Sequence, residues 1–125
     1  MWLLCATTGL TGVALGAFGA HGMAERLAGA ADGARRLEIW HTASEYHLVH
    51  ALALGLVAVL ASRVRGRAAQ VAGVAFTLGV LLFSGSLYVL SWTGARALGA
   101  VTPIGGMLFM IGWGAMAVAA WRAAR

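Results

Sequence analysis

Long apolar runs alternate with short polar connections along the whole chain. Each run is about twenty residues long, the length that a helix needs to cross a hydrocarbon core of ~30 Å. The pattern predicts four membrane-spanning helices, at about residues 2–20, 42–62, 68–92 and 103–121. We therefore expect an all-α integral membrane protein, a four-helix bundle that forms a single transmembrane domain over residues 1–125.

The alternative for the first run is a cleaved signal peptide. Its opening residues, Met1-Trp2-Leu3-Leu4, contain no basic residue, whereas a signal peptide starts with a positively charged region. We therefore predict that the first run stays in the protein as a spanning helix.

The composition is that of a lipid-facing surface. Of the 125 residues, 61% are hydrophobic and 10% are charged, whereas about a quarter are charged in a soluble domain. The net charge is +5, but the basic residues lie scattered at the edges of the predicted spans, which argues against nucleic-acid binding. The single cysteine, Cys5, excludes an intramolecular disulfide and a CxxC metal site.

The placement of arginine predicts the orientation in the membrane. The second connection holds Arg63, Arg65 and Arg67. Arg122 and Arg125 end the chain, while the third connection has only Arg96 and the first balances its arginines with acids. Because arginine-rich connections stay in the cytoplasm, we predict that both termini are cytoplasmic.

Residues 21–41 form the first connection and alternate apolar with charged residues. This pattern is typical of a short amphipathic helix at the membrane interface; a solvated connector is the alternative. Asp32 is a good N-cap residue, so a helix that starts at Gly33 is expected to run straight into the second span.

The second span begins with ionisable residues. Its uninterrupted apolar part, residues 48–61, covers only ~21 Å at 1.5 Å per residue, which is too short to cross a membrane. The helix must therefore draw in Glu45 and His47, and His50 then lies well inside. Ionisable side chains at this depth mark functional or tightly paired sites.

Antiparallel threading of the four helices brings their polar residues to one level. We predict a polar cluster there, open to the outer side and formed by His21, Glu45, His47, His50, Ser84, Ser86, Tyr88 and Thr102, with Arg96 as a counter-ion for Glu45. At about 100° per residue, His41 and Glu45 lie nearly opposite His47 and His50. Only one of these two pairs can face the bundle.

Small residues and hydroxyls predict how the helices pack. One face of the first helix carries Gly9, Gly12, Gly16 and Gly19. Such a stripe permits close helix packing in lipid, either within the chain or between two copies. Ser84 and Ser86 are interpreted as interhelical hydrogen-bonding groups, with contact to a ligand as the alternative, and Thr102-Pro103 predicts a capped helix start.

His47 and His50 are three residues apart and can in principle share a metal or a haem. No carboxylate joins them in an ExxH pattern, and the sequence has no second HxxH. We therefore predict no metal, no cofactor and no catalytic residue. Histidines bonded to serine, tyrosine or backbone are expected instead; a proton relay or a quinone site is the alternative.

Four ordered motifs resemble the domain of unknown function 423 family. They are GAFGAHG at 16–22, WHTA at 40–43 with YH at 46–47 and HALAL at 50–54, LFSGSLY at 82–88, and TPIGG at 102–106. The resemblance covers nearly the whole chain. It implies a small multi-pass protein with about four helices in the bacterial inner (plasma) membrane, or in its organellar equivalent, and it brings no established activity or cofactor.

The leading functional hypothesis is a non-enzymatic accessory or assembly component. Its partners are then the lipid bilayer and either another membrane protein or a second copy of the chain. The alternative is a small redox, quinone or proton- and ion-handling protein that uses the polar cluster. A four-helix transporter is less favoured, because no inverted repeat relates the two halves of the sequence.

Overall fold

The computed structural model describes residues 1–64 and 66–125, so the predicted cytoplasmic residue Arg65 lies outside the described residues. Four long helices make up almost all of the described chain: α1 (Trp2–Leu27), α2 (Gly33–Arg63), α3 (Ala68–Thr93) and α4 (Arg96–Ala123). All four are long and apolar enough to cross a membrane. The predicted all-α, four-helix membrane fold is confirmed.

Two of the helices contain a turn of π-helix, at Gly19–Met23 in α1 and at Val80–Ser84 in α3. Because α1 continues through the first of these turns to Leu27, most of the predicted amphipathic connection belongs to the ends of α1 and α2. α2 starts at Gly33 and runs into the second span without a break, as the sequence predicts.

Asp32 occupies the N-cap position of α2 without forming a side-chain cap. Its carboxylate lies 3.6 Å from Nη1 of Arg36 instead. Gly33 permits the sharp approach of α1 to α2, because a Cβ atom there would overlap the carbonyl oxygen of Leu27. At the connection from α3 to α4, Gly94 follows the last residue of α3, and its φ of 76° is the left-handed conformation that glycine adopts at low cost.

α2 is the central helix and contacts each of the other three. α3 and α4 form the most extensive pair, because aromatic rings lie directly on glycines at their interface. Phe109 covers Gly79, and Phe76 covers Gly112. α1 packs mainly on α2, so it is the peripheral helix of the bundle.

Two apolar clusters fill the interior. One lies between α2, α3 and α4 and is centred on Leu54, Val57 and Phe76. The other joins α1, α2 and α3 and contains Met23, Trp40 and Tyr88. Of the residues predicted to form a site, five are buried in this interior: His47, His50, Ser84, Ser86 and Tyr88.

The two ends of the bundle differ in charge. The connector end, where α1 meets α2 and α3 meets α4, carries both arginines and acids. The terminal end, with both chain termini and the link from α2 to α3, carries Arg63, Arg67, Arg122 and Arg125 and no acidic residue among those described. This asymmetry agrees with the positive-inside rule, and the cytoplasmic placement of the termini stays a prediction.

Candidate functional site

A chain of polar groups, buried except at Thr11, links α1, α2 and α3 around His47. Nε2 of His47 lies 3.3 Å from the Thr11 hydroxyl, and Nδ1 lies 3.4 Å from the Tyr88 hydroxyl. The Tyr88 hydroxyl is also 3.2 Å from the Ser44 hydroxyl. We call these four residues the His47 network. Its bonds satisfy polar groups that would be costly to bury alone.

The glycines of α1 bring its backbone close enough to form this network. A Cβ atom at Gly12 would lie 3.3 Å from the ring of His47, and one at Gly16 would lie 3.6 Å from Oγ of Ser44. Gly19 is covered by the ring of Trp40, whose indole N–H donates a 2.8 Å hydrogen bond to the carbonyl of Leu15. Three of the four predicted packing glycines therefore face α2.

His50 lies in a separate, aromatic environment, which we call the His50 box: His50, Phe76, Phe109 and Trp113. Its ring stacks on Phe109 with the centroids 3.5 Å apart and the planes at 10°. Nδ1 is 2.7 Å from the carbonyl of Tyr46, and Nε2 is 3.2 Å from Nε1 of Trp113. Since a carbonyl only accepts and an indole N–H only donates, these contacts fit a neutral imidazole with its proton on Nδ1.

The structure thus divides the predicted cluster. His47 and His50 are buried, 6% and 3% exposed, while Glu45 and His41 are exposed. Of the two arrangements that helix geometry left open, the histidine pair faces the bundle. No ion pair joins Arg96 to Glu45 among the described residues, because Arg96 lies at the connector end beside Asp32 and Arg36.

Other predicted site residues lie apart from both histidines. The Ser86 hydroxyl is 3.0 Å from the Thr102 hydroxyl, which is an interhelical bond between α3 and α4. α4 opens with a short 3-10 helix at Arg96–Ala100, and its α-helical part starts at Thr102 with Val101 in the N-cap position. The predicted cap is therefore wrong, because the Thr102 hydroxyl is used in the bond to Ser86 instead. His21 is exposed in the first π-turn, where its ring lies 3.4 Å from the carbonyl of Ala17.

Several residues of these sites were not predicted. Ser44 lies three residues before His47, and this helical spacing was a signal that could have found it. Thr11 and Trp113 gave no such signal, because they reach the two histidines from other helices. Only the packing of α1 and α4 against α2 brings them into hydrogen-bond distance.

A pocket of about 300 Å³ opens on the surface beside the His50 box, lined by Glu45, Tyr46, Val49, His50 and Trp113. Its one carboxylate, Glu45, lies on the exposed side of α2. Within residues 1–64 and 66–125, no group of three or more histidine, cysteine, aspartate or glutamate side chains is placed to hold a metal ion.

Arg36 ties α2 to the end of α3. Its Nε donates to the carbonyl of Ser91 at 2.8 Å, and Nη2 donates to the carbonyl of Trp92 at 2.7 Å. The last carbonyls of a helix lack hydrogen-bond partners within the helix and carry partial negative charge. The Arg36 guanidinium supplies both the missing donors and an opposite charge. The Arg26 guanidinium also lies at this helix end, 4.0 Å from the ring centroid of Trp92.

Two buried serines of α3 differ in whether their hydroxyl groups form hydrogen bonds. Ser84, in the second π-turn, is fully buried, and its hydroxyl has no hydrogen-bond partner among residues 1–64 and 66–125. The interhelical bond predicted for Ser84 is therefore wrong, whereas Ser86 forms one. Ser91 is equally buried, and its hydroxyl donates to the carbonyl of Arg36 at 2.5 Å. A buried hydroxyl without a hydrogen-bond partner destabilises the folded state, whereas a hydrogen-bonded one contributes modestly to its stability.

These serines give a prediction of opposite effects. We expect Ser84→Ala to leave the free energy of unfolding unchanged or to raise it by about 1 kcal/mol, since it removes an unpaired polar group. Ser91→Ala should lower the same quantity by about 1 kcal/mol, since it deletes a bond between α2 and α3. Unfolding by SDS in mixed micelles measures both, and equal destabilisation by the two variants would contradict the assignment.

Four antiparallel helices, each long and apolar enough to cross a membrane, define a multi-pass α-helical membrane protein. The family described as "Protein of unknown function (DUF423)" matches residues 15–106. The chain belongs to this family, and the resemblance seen in the four sequence motifs is confirmed.

Relatives cover nearly the full length of the chain. The UPF0382 membrane protein YwdK of Bacillus subtilis (strain 168) is 44% identical over 119 residues, which are 94% of this chain and 93% of YwdK. The UPF0382 inner membrane protein YgdD of Escherichia coli (strain K12) is 38% identical over 125 residues, which are 100% of this chain and 92% of YgdD. These names agree with the predicted inner-membrane location. No solved structure matches the chain.

Proposed function

We propose that this protein is a non-enzymatic accessory component that packs the outward face of α1 against a helix of another membrane protein. The observation that carries the proposal is the peripheral position of α1. In its most apolar stretch, 11% of the residues are buried inside the protein, against 50% in α2. A helix with so small a buried fraction has most of its surface available to a neighbour.

The outward face of α1 carries large apolar side chains, and Gly9 lies at its edge. Leu3, Leu10 and Val13 are 76%, 72% and 61% exposed. Gly9 lies one helical turn from Val13, and a Cβ atom there would meet nothing within 4 Å. The glycine stripe is therefore divided: Gly12, Gly16 and Gly19 serve the contact with α2, and Gly9 leaves a shallow depression where a second helix can approach closely.

The polar interior supports packing over redox or ion handling. Both ring nitrogens of His47 and both of His50 lie within hydrogen-bond distance of protein groups. A ligand or a transported ion would have to break these bonds in a low-dielectric setting, where each broken bond is costly. The buried histidines therefore serve better as internal ties than as an open site.

Site-specific photo-crosslinking in native membranes tests the proposal. We expect a crosslinker at Leu10 to give a specific protein adduct that mass spectrometry assigns to one other membrane protein. The same crosslinker at Leu81 of α3, which is 63% exposed, should give no such adduct. Lipid adducts alone at both positions would contradict a partner on α1, and an adduct with a second copy of the chain would replace the heterologous partner by a homo-oligomer.

A paired substitution makes the test specific to the packing surface. Gly9→Leu fills the depression on α1 and should abolish the Leu10 adduct. Gly114→Leu adds the same side chain to α4, where a Cβ atom also meets nothing within 4 Å, and should leave the adduct intact. Loss of the adduct in both variants would indicate a general disturbance of the protein and would count against the proposed surface.

A further inference from the structure

A small basic pocket lies at the connector end of the bundle, outside the sites described above. It has a volume of about 170 Å³. Its lining includes Arg35, Arg36 and Arg96, one acid at Asp32, and the apolar side chains of Ile39 and Leu90. We call it the arginine pocket, and we propose that it binds the phosphate of an anionic phospholipid headgroup.

The pocket lies where three helix ends converge. Arg35 and Arg36 belong to the first turn of α2, Gly94 follows the end of α3, and Arg96 begins α4. The ends of membrane-spanning helices lie at the depth of the lipid headgroups. The phosphate of a lipid in the surrounding bilayer is therefore at the right level to enter.

The charges of the pocket do not balance. Three arginines and one aspartate line it, and the aspartate carboxylate is 3.6 Å from Arg36. Arg36 is fixed in place by its bonds to the carbonyls of Ser91 and Trp92. The excess positive charge attracts an anion, and a fixed arginine gives that anion a defined position.

Arg35 and Arg96 complete the binding groups. Both side chains are exposed, and no hydrogen bond or ion pair to another described residue engages their guanidinium groups. Each guanidinium can donate two parallel hydrogen bonds to the oxygens of a phosphate. The two arginines come from different helices, so one phosphate between them would bridge α2 and α4.

A lipid headgroup and soluble phosphate both present phosphate oxygens to the arginines. The apolar part of the pocket favours the lipid. Ile39 lies one turn further into α2 than Arg35, and Leu90 lies one turn before the end of α3. Both therefore extend from the arginines toward the hydrocarbon, where an acyl chain begins. Arginines at headgroup depth attract anionic headgroups, and the two apolar side chains add contact with an acyl chain, whereas inorganic phosphate gains nothing from them.

Native mass spectrometry of the full-length protein in detergent tests this inference. The protein is incubated with phosphatidylglycerol or with phosphatidylcholine of the same acyl chains. We expect one tightly bound phosphatidylglycerol and weaker binding of phosphatidylcholine. The double variant R35Q/R96Q should bind the anionic lipid more than tenfold more weakly, at about fivefold per arginine.

The matched control removes the same charge at the terminal end of the bundle. R63Q/R122Q should retain the tightly bound phosphatidylglycerol. Equal loss in the two double variants, or equal retention of the two lipids by the wild type, would overturn the proposal. Displacement of the lipid by millimolar inorganic phosphate would overturn the lipid assignment and identify the site as one for soluble phosphate.

A folding check keeps the test decisive. Both substituted arginines are exposed, so helicity by circular dichroism and the unfolding temperature should match those of the wild type. Should R35Q/R96Q fail to fold, the single variant R96Q serves instead, with an expected loss of about fivefold. Unchanged binding in a folded R96Q would then overturn the proposal.

Discussion

Gly105→Ala should lower the free energy of unfolding by about 3 kcal/mol, at the upper end of the cost of overpacking a core. A Cβ atom at Gly105 would lie 2.8 Å from Cα of Phe83 and closer still to its backbone nitrogen. Backbone atoms of a helix cannot rotate away as a flexible side chain does. The added methyl group must therefore push α4 away from α3 along the most extensive interface of the bundle.

The measurement is unfolding by SDS in mixed micelles, followed by circular dichroism. Gly114→Ala is the matched control on the same helix, because a Cβ atom there meets nothing within 4 Å. We expect it to be neutral or slightly stabilising, since alanine favours a helix more than glycine does. Equal stability of the two alanine variants would show that α3 and α4 do not approach as closely as described.

His50→Ala is expected to lower the free energy of unfolding by about 3 kcal/mol. It removes a ring that stacks on Phe109 at 3.5 Å, and replacement of a large buried side chain by alanine leaves a cavity that costs about 2–5 kcal/mol. It also leaves the indole N–H of Trp113 without its acceptor. His41→Ala is the control on the same helix, and because His41 is exposed, we expect little change.

A double-mutant cycle separates the contribution of the hydrogen bond between Trp113 and His50 to the free energy of unfolding from the cost of the cavity. Trp113→Phe keeps an aromatic ring and removes the N–H, so it should cost about 1 kcal/mol in the wild type. In the His50→Ala background that N–H has no partner, and the same substitution should cost nothing. Additive effects of the two substitutions would contradict the bond between Trp113 and His50.

The start of α2 shows which helix boundaries can be predicted from neighbouring residues in the sequence. Asp32 and Gly33 are placed correctly at its beginning because capping residues and apolar runs act through neighbours in the sequence. The same reasoning did not foresee that α1 continues to Leu27. The charged residues after His21 look like a connection in sequence, yet a helix can extend beyond the bilayer with polar side chains in water.

The polar site was predicted less completely than the fold. Helical spacing separates His47 and His50 from His41 and Glu45 but does not say which pair faces inward. It also cannot separate His47 from His50, whose side chains differ by about 60° around the helix. That small angle is enough for His47 to meet α1 and α3 while His50 meets α4.

The sequence by itself determined that this protein crosses the membrane four times, because hydropathy and run length are properties of each segment alone. It also determined the family, through motifs that are read in order along the chain. Only the tertiary structure decided which polar groups meet: Thr11 with His47, Trp113 with His50, and Arg36 with the end of α3. Such contacts depend on the rotation of each helix about its own axis and on its choice of neighbours, which glycine positions permit but do not specify.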